Sequence, residues 1–219
     1  MLKLVIADKA YSSWSLRPWL LMTQSGIAFE EVRVRFGSPT YQQDFKAYSP
    51  SGRVPVLLLE NGQPLWDSLA IVETLAEQFP QKQLWPQDPF SRAHARCIVA
   101  EMHSGYQKLR SSMPMHVLAQ LPGHGWNLEV QKDIDRICQV WEACLNTHGG
   151  PMLFGQFSIA DAFFAPVVTR LQTYAVAVPP SIRAYMDRVF ALSGMKSWIT
   201  KAAQEFEFVD FEEPYRAHA

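Results

Sequence analysis

Residues 51–73 read SGRVPVLLLENGQPLWDSLAIVE and place a strand, a turn, a second strand and a helix in close succession. The apolar run over residues 54–59 has the length of a strand and opens with an X-Pro pair, and the Asn-Gly pair that follows is a strong hairpin signal. Asp67 or Ser68 then caps a helix. A helix N-terminus beside a strand edge can hold a small peptide by its main chain and its carboxylate.

The residues before this stretch predict a βαβ unit. Residues 2–7 are an apolar run of strand length, residues 15–24 look helical, and residues 29–34 alternate in the manner of a strand. A polar segment at residues 42–48 separates this unit from the hairpin. The first part of the chain is therefore predicted to form an α/β domain, βαβ followed by ββα.

The second half of the chain is predicted to be helical. Residues 81–89 contain two prolines and several amide side chains without a hydrophobic period, which is typical of a linker. One apolar stripe at helical spacing spans residues 90–109, and others follow further along the chain. Ser158-Ile159-Ala160-Asp161 is an S-x-x-D capping box that opens a further helix. The predicted organisation is an α/β domain at residues 1–80, a linker at residues 81–89 and an all-helical domain at residues 90–219.

Composition excludes several classes of function. The chain has 219 residues, of which 48% are hydrophobic and 19% charged, so it lies outside the disordered range and can bury a large core. Lys and Arg total 20 against 21 Asp and Glu, spread without runs, which argues against nucleic acid or an anionic membrane as a partner. The apolar N-terminal run is too short for a signal sequence and no run approaches the length of a membrane span, so a cytoplasmic protein is expected.

The cysteines and histidines indicate neither a disulfide nor a metal. Cys97, Cys138 and Cys144 are an odd number with no C-x-x-C pair, and each lies in a helical pattern among apolar neighbours. We expect all three to be buried reduced thiols. The six histidines show no metal-ligand spacing, so no metal is expected.

Four strings, taken in order, match a known family. The chain carries Ser12-Ser13-x-Ser15 after the first strand, SGRVPV at residues 51–56, DSLAI at residues 67–71 and SIAD at residues 158–161. Over essentially the whole chain their order and spacing resemble the cytosolic glutathione transferases, and they are most similar to the serine-type members, particularly the zeta class that includes maleylacetoacetate isomerase. The resemblance implies a thioredoxin-like N-terminal domain, βαβββα, an all-α C-terminal helical bundle, glutathione as cosubstrate and a homodimer.

A thioredoxin-like domain normally carries out thiol chemistry with its own cysteines, but all three cysteines of this chain lie beyond Arg92, outside that domain. The thiol would therefore come from bound glutathione. A free thiol has a pKa of about 8.5, so the site must stabilise the thiolate with a hydrogen bond and with the positive end of a helix. Tyr11, Ser12, Ser13 and Ser15 are the available hydroxyls, and the resemblance points to Ser12, with Ser13 as helper or substitute. A plain helix cap is the alternative role for these serines.

The resemblance also implies how glutathione would be held. A cis Val54–Pro55 bond would turn the main chain of Val54 towards the cysteinyl residue of the ligand, whereas an ordinary trans proline would not. Ser68 would bind a carboxylate, and Asp67 the α-ammonium group, although both residues also suit a simple N-cap. Arg53 would pair with the glycyl carboxylate, unless it is a solvated surface arginine.

The second substrate would lie between the domains, against the first long helix of the second half. Tyr106, Arg110 and Met113 fall late in that helix and offer an adaptable apolar wall with one cation, and Trp14 is a further wall candidate. Met and Tyr residues at helical spacing also serve as core. The same positions therefore admit a purely structural interpretation.

The sequence thus predicts a glutathione transferase that presents a glutathione thiolate to a small electrophile. One alternative is a glutathione-dependent cis–trans isomerase of a maleyl compound, in which Arg110 would anchor a carboxylate. The other is a non-catalytic binding or scaffold protein of the same fold. Trp14 stands where zeta enzymes carry a cysteine, which weighs against the same isomerase reaction.

Overall fold

A small mixed sheet organises the N-terminal half in the computed structural model, which describes residues 1–36, 38–206 and 208–216. The strand order is β2-β1-β3-β4, with β1 parallel to β2 and antiparallel to β3. The fold class predicted from the sequence is therefore confirmed for this half. The elements are β1 (Lys3–Ile6), α1 (Ser13–Gln24), β2 (Glu30–Arg33), α2 (Tyr41–Tyr48), β3 (Val56–Leu58), β4 (Pro64–Leu65) and α3 (Ser68–Gln78).

Helices build the second half. In α7 every residue except Gln172 is buried, and this helix packs against α1 of the first half and α4 of the second. One continuous core therefore joins the two halves through α7. The helices are α4 (Pro89–Ser104), α5 (Gln107–Ser112), α6 (Leu128–His148), α7 (Ile159–Thr173), α8 (Pro180–Ala191) and α9 (Ser193–Ala202), with 3₁₀ turns at Pro80–Lys82 and Asp210–Glu212.

Helix α2 is an addition to the predicted order of elements. It occupies the polar segment between the βαβ unit and the hairpin, so the order is βαβαββα. Phe45 is its one buried residue, and a helix of eight residues with a single buried side chain has no apolar stripe to reveal it.

The prediction of one continuous helix over residues 90–109 is wrong, because α4 ends before Gly105 and a separate helix, α5, follows. A Cβ atom built on Gly105 would lie 2.7 Å from the carbonyl oxygen of Glu101. Tyr106 then adopts a φ of 56°, in the left-handed region, and α5 starts in a new direction. Phe90, at the other end of the predicted stripe, is 86% exposed.

The three cysteines are free thiols, but they are not all buried. Cys144 is buried and Cys138 half-buried, and burial raises the pKa of each thiol to about 11. The prediction is wrong for Cys97, which lies on the exposed face of α4. Among the described residues, no helix combines the length and the apolarity that crossing a bilayer requires.

The predicted capping box at the start of α7 is confirmed, and its carboxylate binds beyond its own helix. Asp161 is fully buried and accepts hydrogen bonds from the amides of Ser158 (2.9 Å) and Leu153 (3.1 Å) and from the hydroxyl of Tyr185 (3.1 Å). Asp161 therefore ties α7 to the preceding loop and to α8.

Replacing Asp161 by alanine should lower the free energy of unfolding by about 2–4 kcal/mol, because buried donors on three neighbours would lose their acceptor. Asp187→Ala, on the exposed face of α8, is the control and should change it by about 0.5 kcal/mol or less. Urea denaturation measures both variants. Equal stability of the two would contradict this role of Asp161.

Candidate functional site

A cleft of about 560 Å³ lies where the two halves meet. Its walls come from the start of α1, from α2, from residues 51–54 before β3 and from α5. Arg170 of α7 and Glu212 of the C-terminal 3₁₀ turn complete the lining. The volume suits a small organic molecule or a short peptide.

The N-terminus of α1 forms one wall of this cleft. Ser12 is the N-cap residue and its side chain makes no capping hydrogen bond, so the helix-cap alternative does not account for it. The first amides of any α-helix lack partners within the helix, and they carry its partial positive charge. Since Ser12, Ser13 and Trp14 all line the cleft, that charge borders it.

The hydroxyl groups around the start of α1 differ in their hydrogen-bond partners. Ser12 Oγ donates to Ser15 Oγ at 2.8 Å, and Ser15 Oγ also accepts from the amide of Ala7 at 3.2 Å. Tyr11 donates its hydroxyl to Glu213 at 2.8 Å, and burial raises its pKa. Ser13 Oγ bonds to no residue within the described part of the chain. Ser12 and Ser13 therefore remain the two hydroxyls best placed to meet a ligand.

The segment before β3 contributes the second wall. The Val54–Pro55 bond is cis, as the resemblance implies, and Arg53 and Val54 line the cleft. Pro55 is buried behind them. The structure thus brings residues 53–54 and the start of α1 around one space.

Asp67 and Ser68 lie outside the lining of this cleft. Asp67 caps α3 through the amide of Leu69 at 3.0 Å, and its carboxylate lies 3.2 Å from Nε2 of His103. Ser68 is fully buried, and its hydroxyl has no hydrogen-bond partner among the described residues. The N-cap alternative therefore accounts for Asp67, but it leaves the Ser68 hydroxyl unexplained.

Trp14 and Arg110 line the cleft as predicted wall residues would, and they contact each other. The guanidinium carbon of Arg110 lies 4.3 Å from the centre of the Trp14 ring, and that of Arg17 lies 3.9 Å from it. Trp14 thus contacts two cations, an interaction worth about 0.5–2 kcal/mol for each cation.

Tyr106 and Met113 are corrections, because they lie in the core and not on the cleft wall. Tyr106 is 6% exposed and donates its hydroxyl to Glu101 at 2.7 Å, while Met113 is 1% exposed. The break at Gly105 causes the difference, since it turns α5 relative to the helical direction assumed for both residues.

Sequence reasoning missed two buried arginines. Arg17 is fully buried between the rings of Trp14 and Phe163, and its Nε and Nη1 have no partner among the described residues. Arg170, in the cleft, donates from Nε to the carbonyl of Met113 at 2.8 Å. Burial, reinforced by the charge of Arg110, holds the pKa of Arg17 well below its usual value and lowers that of Arg170 to about 10. A charge inside an otherwise apolar helical stretch was the available signal for both.

No metal site accompanies these groups in the part of the chain that the structure describes. Residues 1–36, 38–206 and 208–216 contain no cluster of three or more histidine, cysteine or acidic side chains that could hold an ion.

Comparison with known proteins identifies a family with this architecture. The family descriptions "Glutathione S-transferase, N-terminal domain" and "Glutathione S-transferase, C-terminal domain" match residues 11–78 and 116–188. Maleylacetoacetate isomerase of Rattus norvegicus is 31% identical over 173 residues, which cover 77% of this chain and 78% of that protein. Probable maleylacetoacetate isomerase of Caenorhabditis elegans is 29% identical over 171 residues, covering 77% and 79%.

Solved structures share the fold at lower identity. A glutathione transferase homolog from Burkholderia, solved with bound glutathione, superposes with a TM-score of 0.70 at 24% identity and covers 93% of this chain and 98% of its own. A glutathione transferase from Methylococcus capsulatus gives 0.71 at 23% identity, covering 94% and 100%. Together with the sequence relatives, the cleft at the start of α1 defines an enzyme of the glutathione-dependent class. The chain belongs to the glutathione S-transferase family.

Arg17→Met should leave the free energy of unfolding unchanged or raise it by about 1–2 kcal/mol. The substitution removes a buried charge that forms no ion pair with a carboxylate of the described residues, and it retains a side chain of similar length. Leu20→Ala, at a fully buried position of the same helix, is the reference and should lose about 2–5 kcal/mol. Chemical denaturation tests both. A loss above about 2 kcal/mol for Arg17→Met would show that the guanidinium is structural.

Proposed function

We propose that the protein binds glutathione in the cleft, with the thiol at the N-terminus of α1, and transfers the thiolate to a small electrophile. The observation that carries the proposal is the start of α1: the N-cap side chain makes no cap bond, and two serine hydroxyls and the first helical amides border the cleft. A thiolate placed there gains hydrogen bonds and a favourable helix dipole. The electrophile occupies the side of the cleft formed by Trp14 and Arg110.

The remaining contacts to glutathione follow from the same placement. Ser12 and Ser13 stabilise the thiolate, Val54 pairs with the cysteinyl main chain beside Pro55, and Arg53 binds the glycyl carboxylate. Asp67 and Ser68 bind the γ-glutamyl end of the ligand. The unpartnered buried hydroxyl of Ser68 supports that last role, and binding requires Asp67 to share or release His103.

The proposed function also includes a division of the chain into domains, a dimeric assembly and a cellular location. Residues 1–80 bind glutathione, residues 81–89 link the domains and residues 90–219 bind the electrophile. The protein is a cytoplasmic homodimer, and the exposed side chains of Trp66 and Phe90 support a protein contact near the start of α3 and α4. Light scattering that gave the monomer mass of 24.9 kDa would contradict the dimer.

Replacing both Ser12 and Ser13 by alanine should lower kcat/KM for an aromatic chloride about a hundredfold, since the thiolate loses both hydroxyl donors. The pH–rate profile should also shift to higher pH, because the thiol pKa rises. Ser181→Ala, in the first turn of α8 and outside the cleft, is the matched control. Unchanged turnover in the double variant would reject the serine mechanism.

Isomerisation of a maleyl compound is the second candidate function, and two observations favour it. Several relatives bear the name maleylacetoacetate isomerase, and Arg110 and Arg170 both line the cleft, so that two guanidinium groups are available to the two carboxylates of such a substrate. In this reaction the thiolate adds to the double bond and leaves again after rotation, so glutathione is not consumed.

Arg110→Met should raise KM for a maleyl keto acid about tenfold if isomerisation is the reaction, because a carboxylate loses its cation. The loss of substrate absorbance with constant free thiol measures the reaction. Consumption of one thiol per turnover would instead indicate conjugation. Binding of glutathione with neither reaction would leave a binding or scaffold protein.

A further inference from the structure

The C-terminal segment, residues 208–216, places a carboxylate in the cleft. Glu212 lines the cleft together with Arg110 and Arg170, and it is the one acidic residue among the described residues of the lining. Arg170 and Glu212 attract each other across this space, but they form no direct ion pair. The half-buried Glu212 carboxylate makes no hydrogen bond to any described residue.

The neighbours of Glu212 are fixed, so its position is not accidental. Phe211 stacks on the ring of Tyr41 with 6.2 Å between centroids. Glu213 is buried and accepts the hydroxyl proton of Tyr11 at 2.8 Å, while Tyr215 donates to the carbonyl of Ser112 at 2.7 Å. The segment thereby attaches to α2, to the loop before α1 and to the end of α5. A carboxylate held in this way without a partner of its own is available to a ligand.

The charges around Glu212 determine what its carboxylate does. Without it, Arg110 and Arg170 would leave this side of the cleft with two cations and a preference for carboxylates. With it, one of those charges is balanced, and a second carboxylate entering the same space meets a like charge in a site where water screens poorly.

We infer that Glu212 is a specificity-determining residue that makes the cleft discriminate against electrophiles carrying a carboxylate. The inference rests on the proposed transferase function and deepens it, because it assigns uncharged electrophiles as the preferred substrate class. It also weighs against a dicarboxylate maleyl compound. In the conjugation of an aromatic chloride, the thiolate sulfur bonds to the ring carbon and chloride leaves with the bonding pair, so Glu212 exchanges no proton and acts through charge alone.

The discrimination depends on pH with a defined sign. Burial raises the pKa of Glu212 to about 7, against the opposing charge of Arg170. Above that pH the carboxylate is ionised and repels a substrate carboxylate, and below it the neutral carboxyl does not. Burial raises the pKa values of Tyr11, which lines the cleft, and of Tyr174, which interacts electrostatically with Glu212, while Arg170 stays charged. These groups therefore keep their protonation states near neutrality.

Other charged groups share the segment or the cleft with Glu212. Asp210 and Glu213 belong to its own segment, and Arg110, Lys46 and Arg53 line the same cleft. The pKa of His116 is lowered by burial, and His116 contacts Glu213, not Glu212. Comparing two electrophiles in the same protein cancels the titration of the glutathione thiol, and comparing that ratio with the ratio in Glu212→Gln separates Glu212 from the other charges.

The test compares a chloronitrobenzoate with its methyl ester as electrophiles for the full chain and for Glu212→Gln. The ratio of kcat/KM values, carboxylate over ester, should rise about fivefold to tenfold in Glu212→Gln at about pH 8. In the unsubstituted protein the ratio should fall as pH rises from about 6 to about 8, and in Glu212→Gln it should stay flat. Asp210→Asn, on the same segment and outside the lining, is the control and should keep the ratio of the unsubstituted protein.

Equal ratios in the unsubstituted protein and in Glu212→Gln, with matching thermal unfolding curves, would overturn the inference and leave the transferase function intact. Absence of turnover with both electrophiles would instead reject the proposed function. In that case calorimetric binding of nitrobenzoate against nitrobenzamide tests Glu212 independently. A preference for nitrobenzoate that does not change in Glu212→Gln would overturn the inference without any turnover.

Discussion

The start of helix α1 is fixed by hydrogen bonds to Asp8 and Ser15, and the site depends on where that helix starts. The carbonyl oxygen of Asp8 accepts from the amides of Tyr11 and Ser12 at 3.2 and 2.8 Å, which turns the chain directly after β1. Ser15, within the helix, accepts from the amide of Ala7 and from the hydroxyl of Ser12. The Ser12 side chain therefore does not cap α1, and among the described residues the first amides of α1 have no side-chain cap and can polarise a ligand. Such an arrangement suits an anion, and under the proposed function that anion is the thiolate of glutathione.

Charge balance in the cleft is the second constraint. Burial lowers the pKa values of Arg17 and Arg170, and the nearby charge of Arg110 lowers both further. Burying such charges costs free energy, and neither cation–π contacts with Trp14 nor bonds to backbone carbonyls replace a carboxylate fully. Glu212 offsets part of this cost from the far end of the chain. The electrostatics of the site are therefore set jointly by α1, α5, α7 and the C-terminal segment.

Local signals in the sequence were sufficient to predict the secondary-structure elements and the hydroxyl cluster at the start of α1. They were not sufficient to predict which residues of the second half line the cleft. The hairpin, the helix after Asp67, the capping box at Ser158 and the hydroxyl cluster after β1 all follow from neighbours within a few residues. The prediction that Tyr106 and Met113 line the cleft was wrong because it assumed one continuous helix, whereas the helix ends at Gly105 and α5 runs in a new direction. The place of Glu212 in the cleft could not be predicted from local sequence. Its neighbours Phe211 and Glu213 hold it there through contacts with Tyr41 and Tyr11, some 170 to 200 positions earlier in the chain.

Under the proposed function, the start of α1 stabilises the thiolate of bound glutathione. Ultraviolet difference titration of the glutathione complex measures the pKa of that thiol directly, through the absorbance of the thiolate. The structure predicts a value at least one unit below the value of about 8.5 for a free thiol, so that a large share of bound glutathione is ionised at neutral pH. Glutathione that binds with an unshifted thiol pKa would contradict this account of the site.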